Sequence, residues 1–414
     1  MIWTPELRDF IQCHLEADTA ELLLAARRYP DVDVPFAVEQ IEARKRLKNK
    51  LPEWYGNADL IMGGRVPAEQ CSSEQTARYK RRIIEGKSLC DMTGGMGVDF
   101  WYMSEGMERA IYTERNERLC EVARHNFAVL MADRPDGSPH HGGDVHGAEK
   151  VFIEVRCGDG RELPIPSVDV IYLDPARRAT DGSRVYAMED CEPNIVEWQD
   201  ELLRHAQTVL VKLSPMVDIT DILRKLKGVT DVHVVAVKNE CKEVLVQAHP
   251  LGGSFPAEGV TVHCVDFVGE KTLHYTTSFP DEIEVLVTAT GVERYLYEPD
   301  VTLMKTQAFG SLCHRFPMRQ LDFGTHLLTS NELIPDFPGR IFLIDEQIPF
   351  SSKTLKRLRS HIPQANITTR NFILTADQLR QRTHIKDGGN TYLFGAKVKG
   401  EGDVLLKCRK ENIH

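Results

Sequence analysis

Residues 90–100 read CDMTGGMGVDF, with three glycines at positions 94, 95 and 97 between a short apolar run and a helical pattern. A turn this rich in glycine lets the backbone approach a ligand where any side chain would obstruct it. Its natural place is the junction of a first strand and a first helix in a parallel α/β sheet. The downstream texture agrees: SLCDM, AIYTE, FIEVRC, VDVIYLD and TVLVKL are short apolar runs, separated by segments that include helix-like stretches such as NERLCEVARHNFAVL. This order predicts a doubly wound α/β fold over residues 87–250. VHVVAVKN and EVLVQAHP follow as an antiparallel pair that could close the sheet, and ADRPDGSPHHGGD, rich in turn formers, reads as a surface loop.

On either side the pattern changes. Residues 1–86 carry apolar positions at helical spacing in ELLLAARRY and FAVEQIEARKRL, which predicts a helical region. Residues 251–332, with EIEVLVTA and YLYEPDVTLMKTQAFGSL, read as a small α+β unit. Residues 333–414 read as a second one, built from GRIFLID, the basic helix SKTLKRLRSHI, NITTRNFIL, ADQLRQRTHI, and a terminal hairpin of TYLFGAKV and DVLLKCRK.

The net charge of −10 argues at first against a nucleic-acid partner, but it is unevenly spread. Residues 1–87 are roughly neutral, 88–300 carry about −17 and 301–414 about +7. Basic clusters at Arg44, Lys45, Arg46, Lys48 and Lys50 and at Arg78, Lys80, Arg81 and Arg82 are either solvated helix faces or additional phosphate contacts. No apolar run approaches the roughly 18 residues that span a bilayer, and MIWTPELRDF has neither a basic n-region nor an apolar h-region, so a cytoplasmic protein is expected. The ten cysteines and fifteen histidines show no metal-ligand spacing, and no metal is expected.

Four acidic positions sharpen the reading of the glycine turn, which taken alone suits a dinucleotide or no ligand at all. Asp91 ends the first strand, where a carboxylate can accept from an ammonium group but would repel a pyrophosphate. Glu114 ends the second strand, in the position from which a carboxylate grips both ribose hydroxyls. Asp159, in CGDGRE after the third strand, could accept from an adenine amino group. Asp174 ends the fourth strand in LDPARR, where Pro175 fixes the backbone and the carboxylate faces the place of reaction. The same residues could instead be unrelated acids in a structural α/β domain. Asp99 and Lys212 lie near the strand ends and are either pocket-lining or structural.

At these positions the chain resembles class I S-adenosylmethionine-dependent methyltransferases, within them those whose fourth motif is Asp/Asn-Pro-Pro-aromatic, over about residues 85–250. It resembles more closely a group of bacterial proteins that join such a domain to a ferredoxin-like unit and a C-terminal THUMP-like domain; CSSEQTARYK, GGMGVD, LDPARR, LTSNELIPDFPGR and DGGNTYLFG carry that likeness. The resemblance implies an α/β Rossmann-like methyltransferase domain with an N-terminal helical region and two small C-terminal α+β domains. S-adenosyl-L-methionine is then the cofactor, held by Asp91, Thr93, Gly94, Gly95, Gly97, Glu114, Arg115, Asp159 and Gly160, with Thr76 reaching it from the helix before the first strand. Asp174, Pro175 and Arg177 would form the catalytic corner.

THUMP modules accompany RNA-modifying enzymes, so the implied partner is RNA, tRNA or rRNA. Arg178 and the helix residues Lys353, Lys356, Arg357 and Arg359 would meet its phosphates. Arg177 stands where amine-methylating relatives place an aromatic residue, so the target atom stays open. Two other readings remain: an RNA-binding protein that kept the fold without the chemistry, and a methyltransferase for a protein or small molecule. A covalent cysteine route would need a thiol facing the donor; Cys191 follows the Asp-Pro corner in sequence, but no motif brings it there, and a structural thiol is the favoured reading.

Overall fold

The computed structural model describes residues 3–133, 151–177, 188–250, 259–279 and 288–411. Nearly all of the ADRPDGSPHHGGD loop, Arg178 and most of EIEVLVTA lie outside the described residues. The chain divides into two compact units, the first made of 1–229 and 245–255, the second of 230–244 and 256–414. Among the described residues no helix is long and apolar enough to cross a membrane.

The first unit opens with six helices, α1 (Pro5–Cys13), α2 (Thr19–Leu24), α3 (Val34–Leu47), α4 (Pro52–Gly56), α5 (Arg65–Gln70) and α6 (Glu74–Ile83). Their starts are written in the sequence: Thr4, Asp18, Asp33 and Ser73 cap α1, α2, α3 and α6 with side-chain oxygens, and proline opens α1. Leu7, Phe10, Ile11, Leu22, Val34 and Ile41 form a small core of their own, each contributing roughly 1.5–3 kcal/mol by burial.

The sheet follows, with β1 (Ser88–Asp91), α7 (Val98–Met103), β2 (Arg109–Glu114), α8 (Glu117–Ala132), β3 (Phe152–Cys157) and β4 (Val168–Leu173). Two short strands, β5 (Ala176–Arg177) and β6 (Cys191–Glu192), pair with each other; α9 (Ile195–His205), β7 (Ala206–Leu213) and α10 (Ile219–Lys225) come next. The order β7-β4-β1-β2-β3 is parallel throughout. Strand order reverses between β1 and β4, which is where open α/β sheets bind ligands, outside the carboxyl ends of the strands. Asn126 of α8 joins the helical region to the sheet, donating to and accepting from the Ile61 backbone at 2.8 Å each way.

The second unit begins within β8 (Val229–Val237) and β9 (Glu240–Ala248), joined through Lys238 and Asn239, both with positive φ. Such a two-residue loop matches the twist of a hairpin. β8 pairs in parallel with β10 (Val260–Val268), and β10 antiparallel with β11 (Lys271–Phe279). Beyond these lie β12 (Tyr295–Pro299), α11 (Val301–Thr306), α12 (Phe309–Arg315), β13 (Arg319–Gln320), β14 (Leu328–Ser330), β15 (Gly339–Pro349), α13 (Ser352–His361), β16 (Asn366–Arg370), α14 (Ala376–Thr383), β17 (Thr391–Val398) and β18 (Gly402–Lys410). Their seven strands run in the order β13-β14-β12-β15-β18-β17-β16. Leu355 and Leu358 of α13 and Leu379 of α14 share a core with Ile367, Leu393 and Leu405 of the sheet, which leaves the polar face of α13 to solvent.

The N-terminal basic clusters are only in part solvated helix faces: Lys45, Arg46, Lys48 and Arg82 are exposed, while other members are engaged within the protein. Arg44 is fully buried and donates to the carbonyls of Tyr55 (3.4 Å), Asn57 (3.2 Å), Ala58 (3.1 Å) and Leu60 (2.5 Å). Burial lowers its guanidinium to about 10. Lys45 and Lys50 donate to the Ala17 and Glu69 carbonyls, Arg46 pairs with Glu69, and Arg78 with Glu53 and Glu74. Sequence spacing cannot reveal such partners, because they lie on other helices and on the loops between them. Arg44→Met should strand these carbonyls and destabilise the first unit by about 3 kcal/mol or more, read as a lower denaturant midpoint of its unfolding transition.

Candidate active site

The glycine turn leaves β1 at Asp91. Gly94 packs so closely on Tyr112 that a Cβ there would lie 2.2 Å from its ring, and Gly97 starts α7 with φ +81°. The turn is stitched to β2: the Gly94 N–H donates to the Thr113 carbonyl (2.8 Å), the Tyr112 hydroxyl to the Gly95 carbonyl (2.6 Å), and the Gly95 N–H to Glu114 Oε2 (2.8 Å). Glu114 Oε1 accepts from the Asn116 N–H (2.8 Å). Both carboxylate oxygens are thereby aimed by backbone, each with lone-pair capacity left for a further donor.

Asp91 is 1% exposed. Burial pushes its carboxyl well above the ordinary carboxylate range; the Thr93 N–H, 2.9 Å away, works against this, while Asp99, Asp174 and Glu114 add to it. Thr93 also links the first motif to the fourth, since its hydroxyl accepts from the Asp174 N–H at 2.7 Å. Gly160 is buried against Met92, where a Cβ would stand 3.0 Å from the Met92 carbonyl oxygen. Asp159, beside it, holds a partner the motif did not announce. Arg161 donates to it from its backbone (2.9 Å), Nε (3.0 Å) and a terminal nitrogen (2.6 Å), and holds the carboxyl at about 2 against the effect of burial. Arg115 is exposed and pairs with Glu192 at 3.4 Å, as does Arg161 at 3.1 Å.

Beneath this rim lies a charge network. Asp99 of α7 is buried; its Oδ2 accepts from the Ser72 and Tyr172 hydroxyls, both at 2.7 Å, and its Oδ1 pairs with fully buried Lys80 at 3.2 Å. Lys80 also donates to Ser72 (3.1 Å). Lys212, at the end of β7, stands 3.7 Å from Asp99 and 2.5 Å from Asp174 Oδ2. Burial pushes the Asp99 carboxyl up, but Lys80, Lys212, Tyr172 and Ser72 together outweigh it and hold it at about 2. Asp174 keeps 38% of its side chain exposed, so it is anchored from below and open above.

Asp91, Thr93, Gly94, Gly95, Gly97, Glu114, Gly160 and Asp174 therefore gather at the carboxyl ends of β1, β2, β3 and β4. Pro175 leads directly into β5. Thr76 is buried at the start of α6, where its hydroxyl donates to the Ser73 carbonyl (3.2 Å) and Ser73 caps its N–H. The backbone of Arg177 pairs with Cys191, which brings that cysteine beside the Asp-Pro corner, a proximity no motif indicated. Lys353, Lys356, Arg357 and Arg359 sit on α13 in the second unit, all exposed. The sequence marks Lys80 only as one member of a basic cluster, and nothing in it singles out Ser72 or Tyr172.

The comparisons with known proteins agree with this architecture. The chain is 34% identical to a candidate methyltransferase of known crystal structure from Porphyromonas gingivalis W83, with a TM-score of 0.86 and the whole of both chains covered. It is 22% identical over 357 residues to an uncharacterized S-adenosylmethionine-dependent methyltransferase of Mycobacterium tuberculosis, covering 85% of this chain and 89% of that one. Residues 295–338 match a ferredoxin-like domain and residues 339–410 a THUMP-like domain. The fold and the strand-end site define a class I methyltransferase. The chain belongs to the family of such enzymes that carry ferredoxin-like and THUMP-like domains, and its cofactor is S-adenosylmethionine. The residues present suit that cofactor: a buried carboxylate without a cationic side chain of its own among its main influences, a backbone-aimed Glu114, and a turn that a Cβ would fill.

Asp99 carries a pH signature. Its folded value lies below the unfolded one near 4, so its contribution to stability is complete above about pH 4 and is lost as pH falls toward 2. Melting temperature measured between those limits should fall less steeply in Asp99→Asn than in the unaltered protein, although that variant melts lower at pH 7.

Proposed function

We propose that this enzyme methylates RNA, binding it through the THUMP-like domain and aligning the accepting nucleotide at Asp174. The reading rests on one observation above others: Lys353, Lys356, Arg357 and Arg359 line α13 within the matched THUMP-like residues, exposed and with no acidic partner among the described residues. Such a face suits phosphate, and it supplies positioning without sequence preference.

Asp91 would take the ammonium group of the cofactor, Glu114 the ribose hydroxyls, and Asp159 with Gly160 the adenine. Asp159 would either keep Arg161 or exchange part of it for the adenine amine. When bound, the cofactor supplies a methyl group activated on a sulfonium. Asp174 is the catalytic residue in this reading: its carboxylate, oriented by Lys212 and by the Thr93 hydrogen bond to its own N–H, accepts the proton that the attacking atom loses. Pro175 and Arg177 shape the corner on which the nucleotide rests, and a guanidinium there could stack on a base or pair with a phosphate.

Binding of labelled S-adenosylmethionine tests the donor site directly, and Gly95→Arg and Glu114→Ala should each abolish it. Asp174→Ala should leave that binding within a few-fold and lower methyl transfer to RNA by about 10²–10⁴; unchanged transfer would remove Asp174 from its role. The RNA assignment has a separate readout. Replacing Lys353, Lys356, Arg357 and Arg359 together by alanine should weaken RNA binding and reduce the slope of log affinity against log salt by up to about three, and an unaltered slope would point to a protein or small-molecule acceptor.

A further inference from the structure

The second unit contains a cluster that the methyltransferase reading does not use. Asp231 and His233 are two residues apart on β8, so they project from the same face of the strand. His263 of β10 is in direct register with His233. One potential ligand atom from each of the three lies within 4.8 Å of the other two. The imidazoles of His233 and His263 stack with centroids 4.3 Å apart and planes 8° from parallel, and His263 Nε2 stands 2.9 Å from Asp231 Oδ1. From β11, exposed His274 brings its Nε2 to 3.3 Å from His263 Nδ1.

We propose that Asp231, His233 and His263 bind a divalent first-row metal ion, zinc by preference, with water completing the coordination and His274 meeting the other ring nitrogen of His263. The donor set is two imidazoles and one carboxylate, which suits zinc and its neighbours and excludes calcium and magnesium, ions that take oxygen ligands. Separation also fits. Two ligands bound to tetrahedral zinc at roughly 2.0–2.1 Å stand roughly 3.3 Å apart, so the 2.9 Å contact between Asp231 and His263 has to open by only a few tenths of an ångström, while the stacked His233 and His263 rings have to turn so that their lone pairs converge on the ion. The metal replaces the proton those two atoms share, and that proton leaves to solvent as the ion enters. Burial is graded in the way an ion-binding cleft requires: His233 is 3% exposed, while the side chains of His263 and Asp231 keep 21% and 28% of their surface open.

The rigidity of the platform strengthens the case. All the ligands stand on hydrogen-bonded strands, and the β8–β10 register runs unbroken from Asp231 to Val237. A site held on sheet backbone loses less order on binding than one on loops. An ion there would pin β8 to β10 through side chains, 30 residues apart along the chain at the His233–His263 pair. The inference is independent of the identity of the methyl acceptor.

The full-length protein, stripped with a chelator and then titrated with zinc in competition with a chromophoric chelator, tests the site. One zinc ion per chain should bind, and Asp231→Asn and His263→Gln should each weaken it by more than about tenfold. Both positions are partly open, so these variants should keep the fold, which the far-ultraviolet spectrum and S-adenosylmethionine binding verify. His233→Ala is the harsher variant and is not needed for the decision. Zinc should raise the melting temperature of the unaltered protein and leave that of the two variants in place, and X-ray absorption should record imidazole ligands with no sulfur. Failure of the stripped protein to bind zinc overturns the proposal. So does binding that is equally tight in Asp231→Asn and His263→Gln, or a coordination shell containing sulfur, either of which would assign the ion to the free cysteines.

Discussion

The first unit depends on one buried carboxylate. Asp99 gathers Ser72 from the loop ahead of α6, Lys80 from α6 itself, Tyr172 from β4 and Lys212 from β7. Four separate parts of the chain are thus referred to one pair of oxygen atoms on α7. A charge so deeply buried is costly unless fully compensated, and here two lysines and two hydroxyls compensate it. The arrangement is therefore specific: a shift of α6 or α7 would leave at least one ion uncompensated. Asp174, the proposed catalytic residue, is tied to this network, because Lys212 reaches both carboxylates.

Cations are used differently in the two units. In the first, arginines and lysines serve as internal donors: Arg44 satisfies carbonyls at the end of a helical region, Lys80 neutralises Asp99, and Arg161 holds Asp159. In the THUMP-like segment, Leu355 and Leu358 face the core and the charged residues between them face solvent. An overall charge of −10 hides this division. A cation already bonded to carbonyls or a buried acid cannot turn to a phosphate without leaving those groups unsatisfied, so surplus positive charge on α13 says more about partners than the sum over the chain.

Much of the site was legible because its motifs are local. A glycine turn, an acid at the end of a strand and an Asp-Pro pair each occupy a few consecutive residues, and the parallel sheet necessarily brings strand ends together. The β-strands of the methyltransferase domain were legible for the same reason, as continuous apolar runs. Other contacts have no local signature. Cys191 reaches the Asp-Pro corner only because β5 and β6 pair across a segment of the chain. Asp231 and His263 meet across 32 residues through strand register, and counting histidines along the sequence shows nothing of it. Arg44 and Lys80 look like members of exposed basic runs; only tertiary packing separates a buried lysine from its solvated neighbours.

Asp91 and Asp99, eight positions apart, sit in opposite electrostatic surroundings. Both are almost completely buried. Asp99 is surrounded by donors and cations and is held ionised to about pH 2. Asp91 receives the Thr93 N–H but lies among Asp99, Asp174 and Glu114, and burial drives its carboxyl upward. Two carboxylates in one pocket are thus pushed in opposite directions by their neighbours. A group whose ionisation is disfavoured by its own protein is costly unless a cation arrives to share the site. S-adenosylmethionine carries positive charge on both its ammonium and its sulfonium. In the proposed reading the energetic mismatch at Asp91 is what a ligand of that charge would relieve, whereas Asp99 already has two lysines and two hydroxyls of the protein around it.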